Sequence, residues 1–231
     1  MANHTLTDSG TWQDLLVRAR TAADGDDRGE GGEDPLAAAL VEHMNAPVRA
    51  MLTCTMGDIG VLIQLTVVSD HVLIVVDPIT AVDDEITVPG ETQLIFAHTT
   101  DIWAILSAVL PPIDCLRAPA TPISDATPAA LNLTAEQCDT LFDREQANLH
   151  AVVEAWDQDT QLGQWGYWWS VVDNRLHSIC VVDGHLSIQA WQPGAIASTL
   201  LQTVTAAIEA IEARAGDAEL VSASVADTTA V

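Results

Sequence analysis

The segment Leu162–Gln192, LGQWGYWWSVVDNRLHSICVVDGHLSIQAWQ, constrains the fold more than any other part of the chain. Turn signals at Asp173-Asn174 and Asp183-Gly184 divide it into three runs rich in β-branched and aromatic residues. Asp-Gly suits the left-handed dihedrals of a type I′ turn, so the runs are predicted to be three antiparallel strands. A two-residue loop at Asp183-Gly184 sets Val182 opposite His185, Cys180 opposite Ser187, Ser178 opposite Gln189 and His177 opposite Ala190. Side chains alternate along a strand, so Trp168, Ile179, Val181, Leu186, Ile188 and Ala190 share one face. That face is apolar and is predicted to be core. The other carries Trp169, Val171, Leu176, Ser178, Cys180, His185, Ser187, Gln189 and Trp191; it is mixed and is predicted to be partly solvated. His177 and His185 fall on opposite faces and cannot share a metal ion.

The first half holds a similar block. VRAMLTCTM (48–56), VLIQLTV (61–67) and HVLIVV (71–76) alternate and are separated by turn signals, the first being Gly57-Asp58-Ile59-Gly60. They predict a three-strand meander, with TQLIFAH (92–98) as a fourth strand. Helices are predicted over PLAAALVEHM, with Pro35 in its first turn, and over about residues 100–110, stopped by Pro111-Pro112. Thr134 and Gln137 have capping-box spacing. The helix they open is expected to run to Asp157, burying Cys138, Leu141, Phe142, Leu149, Val152, Val153 and Trp156. A last helix is expected over about residues 195–215. Residues 5–20 contain an amphipathic segment in which Thr11 caps and Trp12, Leu15, Leu16 and Ala19 share a face.

The remaining segments are polar. Residues 21–34 are an acidic, glycine-rich flexible loop, 77–91 an exposed acidic loop, 111–129 a proline-rich crossover and 216–231 a frayed tail. The chain therefore reads as a single domain, 1–231, whose halves 36–110 and 134–214 share the order helix, three strands, extra loop, helix. That repeat predicts an α+β fold: a quasi-two-fold duplicated unit around one central, mainly antiparallel sheet with packed helices.

Charge excludes several partners. The 231 residues carry a net charge of -25, and all eight basic residues are arginine. Such a surface repels nucleic acid and anionic lipid. The most apolar span, 59–76, is interrupted by Gln64, Ser69, Asp70 and His71, so no membrane helix is expected. MANHTLTDSG has neither a basic start nor an apolar run, which predicts a cytoplasmic protein. Cys54, Cys115, Cys138 and Cys180 lack metal-ligand spacing and are expected to be free thiols.

Motifs for chemistry are missing. There is no nucleophile elbow, phosphate loop, dinucleotide fingerprint or zinc-protease helix. His71, His98 and His150 have no carboxylate or cysteine at ligand spacing in the sequence, and Asp83-Asp84-Glu85 reads as a solvated run. No catalytic residue, metal or cofactor is therefore expected, and a binding protein is favoured over an enzyme.

The order of features resembles the EspG family, actinobacterial cytoplasmic chaperones of type VII (ESX) secretion. The opening LTDSGTWQDLLVRA is similar to the family's N-terminal segment, and the helix ending in Leu110-Pro111-Pro112 to its mid-chain crossing. The sharpest match is Gly163-Gln164-Trp165-Gly166, which resembles the family's G-Q-aromatic-G element before the last strands. SVVD (170–173), RLHSICVV (175–182), Gly184, HLSIQAWQP (185–193) and the helix from Ala195 follow in the family's order. This chain is shorter than many members, is more acidic, and has only Arg175 where they carry several arginines. The resemblance implies a C-terminal helical part and a mechanism: masking the helical tip of a PPE-like secretion substrate until export. Binding of that kind needs exposed apolar groups rimmed by polar ones. The expected contacts are the hairpin tip Met56, Asp58 and Ile59 and the outward face carrying Trp169 and Trp191. The alternatives are that Met56 and Ile59 pack under a helix and that the tryptophans are core. A second functional class is a small-molecule-binding or sensory α+β domain with its pocket between sheet and helices.

Overall fold

The computed structural model describes residues 3–7, 17, 35–82, 85–88, 90–122, 130–182 and 185–228. The expected helix face Thr11, Trp12, Leu15, Leu16 and Ala19, the acidic loop 21–34 and the Asp183-Gly184 turn lie outside them. One antiparallel sheet of eleven strands organises the molecule. The strands are β1 (Asn3–Thr7), β2 (Val48–Met56), β3 (Ile59–Val68), β4 (His71–Val82), β5 (Glu85–Thr87), β6 (Thr92–His98), β7 (Leu131–Asn132), β8 (Glu145–Asp157), β9 (Thr160–Val172), β10 (Arg175–Val182) and β11 (His185–Trp191). The described helices are α1 (Pro35–Met44), α2 (Ile102–Val109), α3 (Asp114–Arg117), α4 (Ala135–Asp143) and α5 (Ala195–Thr228). Across the sheet the order is β1-β6-β4-β3-β2-β8-β9-β10-β11-β7, with β5 paired to β4. The predicted mixed α+β class with a large antiparallel sheet and a C-terminal helix is therefore present.

Several elements differ from the sequence expectation. Residues 145–157, predicted as helix, form the central strand β8, paired to both β2 and β9. Leu149, Val152, Val153 and Trp156 fit a helical spacing. The pattern that prevails is the alternation Ala147, Leu149, Ala151, Val153, Ala155, all buried on one face. Three of those positions are alanine, whose helix propensity hides a period of two. Their small size also lets α5 lie close across β8 and β9. Residues 5–7, placed in the amphipathic segment, belong to strand β1 on the edge of the sheet. Residues 77–82 and 85–87, expected in an exposed loop, continue β4 and return as β5. Asp77 is buried there and accepts a hydrogen bond from the Thr92 hydroxyl at 2.6 Å. Pro78 falls where β4 passes from β6 to β5, so a position without an N–H donor meets no partner on that side.

The described part of the crossover, residues 111–122, is more ordered than its prolines suggest. Cys115 and Leu116 on α3 are buried. Arg117 donates to the carbonyls of Leu110 and Pro111 at 2.9 and 3.0 Å, satisfying groups left open where the prolines end α2. Further on, Thr121 N–H donates to Ser198 Oγ at 3.0 Å, tying the segment to the first turn of α5. Gly194, at φ 92°, begins that turn against Pro119, where a side chain would have neither the dihedral nor the space. The helix α5 extends to Thr228, beyond the tail expected from residue 216.

Two apolar layers cover the sheet. The larger joins Val48, Leu52, Ile63, Ile74, Leu149, Val153 and Trp169 to Ile102 and Leu106 of α2 and to Ile196, Leu200 and Val204 of α5. The smaller packs Leu40 of α1 on Leu73, Val75 and Leu94 of the opposite face. α4 lies on that second face too, where Phe142 stacks on Trp168 with ring centroids 6.4 Å apart.

Candidate partner-binding surfaces

The β2–β3 hairpin sets Met56 opposite Ile59. Gly57 takes φ 60° at the first of the two turn positions, the place a type II′ turn reserves for glycine. The turn is thus Gly57-Asp58, and Ile59 and Gly60 belong to β3. Ile59 is 57% exposed and Asp58 is exposed, whereas Met56 is half-buried against the large core. The tip therefore presents one large apolar side chain beside a carboxylate.

The β10–β11 register is as predicted, residue for residue. The face assignment is overturned in part: Trp169 is only 3% exposed, and Val171 and Leu176 on its face are buried in the large core, while on the predicted core face Ile179 is buried as expected but Val181 is 71% exposed. Trp169 stacks on Tyr167 at 5.1 Å, and the Tyr167 hydroxyl lies 2.7 Å from Thr203 Oγ1 of α5. The expected contact role of Trp169 is therefore corrected: it is a core residue. Both faces of this hairpin carry apolar side chains, and pairing alone does not say which one a helix covers. Trp191 is half-buried against the same core, with its Nε1 donating to Ser178 Oγ at 2.8 Å. It stands opposite Leu176, which in turn faces Val171. The hairpin tip and Trp191 thus occupy the same end of the sheet, four strand spacings or about 19 Å apart.

Gly163-Gln164-Trp165-Gly166 lies in the middle of β9, its residues alternating between faces. Trp165 folds over Gly163, whose missing Cβ would sit 2.7 Å from the ring. Gln164 and Gly166 face the other way, with Gly166 opposite Val152 and open space above it. There Gln164 Nε2 and Trp156 Nε1 donate to the Glu154 carboxylate at 3.0 and 3.1 Å. Arg49, Met51, Gln64, Val152, Glu154 and Gln164 line a shallow groove of about 330 Å³. Met51, 51% exposed, is its apolar floor. Sequence reasoning passed over Met51; the available signal was a large apolar residue at an outward position of VRAMLTCTM.

On the α2 side, a cleft of about 840 Å³ lies between α2 and the sheet, lined by residues that include Val61, Val76, Gln93, Ile95, Ile105 and Val109. At the end of the sheet opposite the hairpin tip, strand pairing sets His71 against His98, with Asp70 in the adjoining turn. The sequence alone sets no carboxylate at ligand spacing from these histidines. The fold supplies one, because Asp70 and His98 are distant in sequence and adjacent in space. Burial holds the imidazoles of His43 and His177 below their ordinary pKa.

No family model matches the chain, and no curated protein matches it. Among the described residues, no helix is long and apolar enough to cross a membrane. Among solved structures, the chain is similar to one described as the Mycobacterium tuberculosis type VII secretion system chaperone EspG5 in complex with a PE25-PPE41 dimer. The similarity has a TM-score of 0.52 at 9% identity and covers 90% of this chain and 95% of that chain. At that identity the likeness is one of fold, and it extends over nearly the whole of both chains.

Proposed function

We propose that this chain is a non-catalytic, cytoplasmic chaperone of EspG type that holds the helical tip of a PPE-like secretion substrate and keeps it soluble for export. The observation that carries the reading is the near full-length likeness in fold to a type VII secretion chaperone. The G-Q-W-G element in β9 and the exposed Ile59 on a rigid two-residue hairpin add to it. In this reading Ile59 is the apolar anchor, Asp58 and Met56 flank it, and the edge of Trp191 completes the same end of the sheet. An anchor of this kind excludes water from one spot and leaves a modest interface that can release. The strongly acidic surface then favours a client whose contacting rim is basic.

The same reading includes an origin by duplication. Its halves are α1, β2, β3, β4, β6, α2 and α4, β8, β9, β10, β11, α5, and they meet through their first strands, β2 and β8. Left-handed turn residues recur in matching places: Gly57 and Gln158 after the first strands, Ser69 and Asp173 after the second.

Co-purification with a co-encoded helical secretion substrate tests the function. A stable complex in equal proportions supports it, and a loss of binding in Ile59→Asp locates the contact at the hairpin tip. A well-folded chain that captures no such substrate overturns it. The alternative class, a small-molecule-binding domain, is favoured by the cleft beneath α2. A large thermal shift with one metabolite, abolished by Ala104→Trp in the cleft wall, would favour that class instead.

A further inference from the structure

From the cluster Asp70, His71 and His98 we infer a divalent transition-metal site, of the zinc, nickel or copper class, that is independent of the client-binding reading. One donor atom from each of the three residues lies within 4.8 Å of the others. The arrangement is built by the backbone. His71 and His98 are direct partners across β4 and β6, so their side chains leave the same face, and their ring centroids are 4.9 Å apart. Asp70 enters from the β3–β4 turn, whose Ser69 takes φ 55°. Thr99 N–H donates to the Asp70 carbonyl at 2.9 Å, fastening the turn to the end of β6. The carboxylate already reaches both rings, at 2.7 Å from His71 Nδ1 and 3.7 Å from His98 Nδ1.

Ion–ligand bonds of about 2.0–2.2 Å put tetrahedral ligands about 3.4 Å apart. Drawing the three donors together over that difference needs only side-chain torsions, and all three residues are exposed. Two imidazoles and one carboxylate select borderline ions over calcium or magnesium, which prefer oxygen. The net charge of -25 raises the local cation concentration around the site. Solvent exposure leaves the remaining coordination positions to water or to a ligand from another molecule.

Isothermal titration of the full chain, stripped with chelator and then given zinc chloride, tests the assignment. The expected result is saturable binding of about one ion per chain with micromolar affinity, unaffected by excess magnesium. Asp70→Asn is expected to weaken it by about tenfold or more, and His71→Ala/His98→Ala to remove it. These exposed substitutions should leave the metal-free melting temperature unchanged, which separates ligand loss from unfolding. The inference is overturned by an absence of saturable binding, by displacement with magnesium, or by unchanged affinity in the double variant. That last result would place the ion on other carboxylates or on the thiols.

Discussion

Trp169 and Ile59 are both large apolar residues on strands, and burial assigns them opposite roles. Trp169 fills the space between β9 and α5, so Trp169→Ala is expected to cost about 3–5 kcal/mol through the lost transfer energy and the cavity left behind. A urea midpoint far below that of the wild type would verify it. Ile59 stands at a hairpin tip. Ile59→Asp is expected to change stability by no more than about 0.5 kcal/mol while abolishing capture of the helical substrate. The pair separates a core tryptophan from a contact isoleucine in one comparison. Thiol chemistry follows the same logic. Burial pushes Cys54 up to about 12 and raises Cys115 as well, so neither forms a thiolate readily. A disulfide reagent at about pH 8 is expected to label half-buried Cys138 and Cys180 first, and all four thiols after unfolding.

At the scale of elements, α4 depends most on its ends. Its nine residues are too few to be stable alone. Thr134 Oγ1 accepts from Gln137 N–H at 3.3 Å, and Gln137 Oε1 accepts from Thr134 N–H at 2.9 Å. At its other end Arg144 pairs with Asp173 of the β9–β10 turn, where Asp173 and Asn174 take φ 51° and 58°. Thr134→Ala is expected to destabilise by about 1 kcal/mol. Hydrogen exchange should show the loss concentrated over residues 135–143, because the sheet beneath does not rest on this cap.

Across the whole molecule, pH acts through buried His43 and half-buried His177. His43, in the last turn of α1, faces the sheet, with Thr66 Oγ1 3.0 Å from its Nδ1 and Phe96 edge-on to its ring. Desolvation lowers its pKa from 6.5, against the opposing charge of Glu42 and with a smaller push from His71. His177 is lowered chiefly by burial as well. A histidine depressed in the folded state is protonated first in the unfolded chain. Its contribution is therefore complete above pH 6.5 and declines as pH falls below that value toward the folded pKa. The urea midpoint is expected to drop as pH falls from about 6.5 toward 5.5, above the range in which carboxylates begin to protonate. The drop should be smaller in His43→Gln/His177→Gln. An equal slope in that variant would assign the dependence to other groups.

What the sequence determined by itself is whatever rests on neighbours along the chain. Turn chemistry at Asp173-Asn174 and between β2 and β3, the stop at Pro111-Pro112, the Thr134–Gln137 box and the β10–β11 register were all legible, because each depends on a few adjacent residues. That a turn joins β2 and β3 was legible for the same reason, but its length was not: the four-residue signal Gly57-Asp58-Ile59-Gly60 is a two-residue turn, with Ile59 and Gly60 already in β3. Tertiary structure decided the rest. Alanines at 147, 151 and 155 satisfy a helix and a strand alike, and only pairing with β2 and β9 selects the strand. Trp169 became core because α5, arriving from more than twenty residues away, covers its face rather than the other. The groove around Met51 and the meeting of Asp70 and His71 with His98 exist only once distant strands are aligned. Outside a tight hairpin, a side chain's neighbours across a sheet are set by the packing of the whole chain, and local spacing carries no record of them.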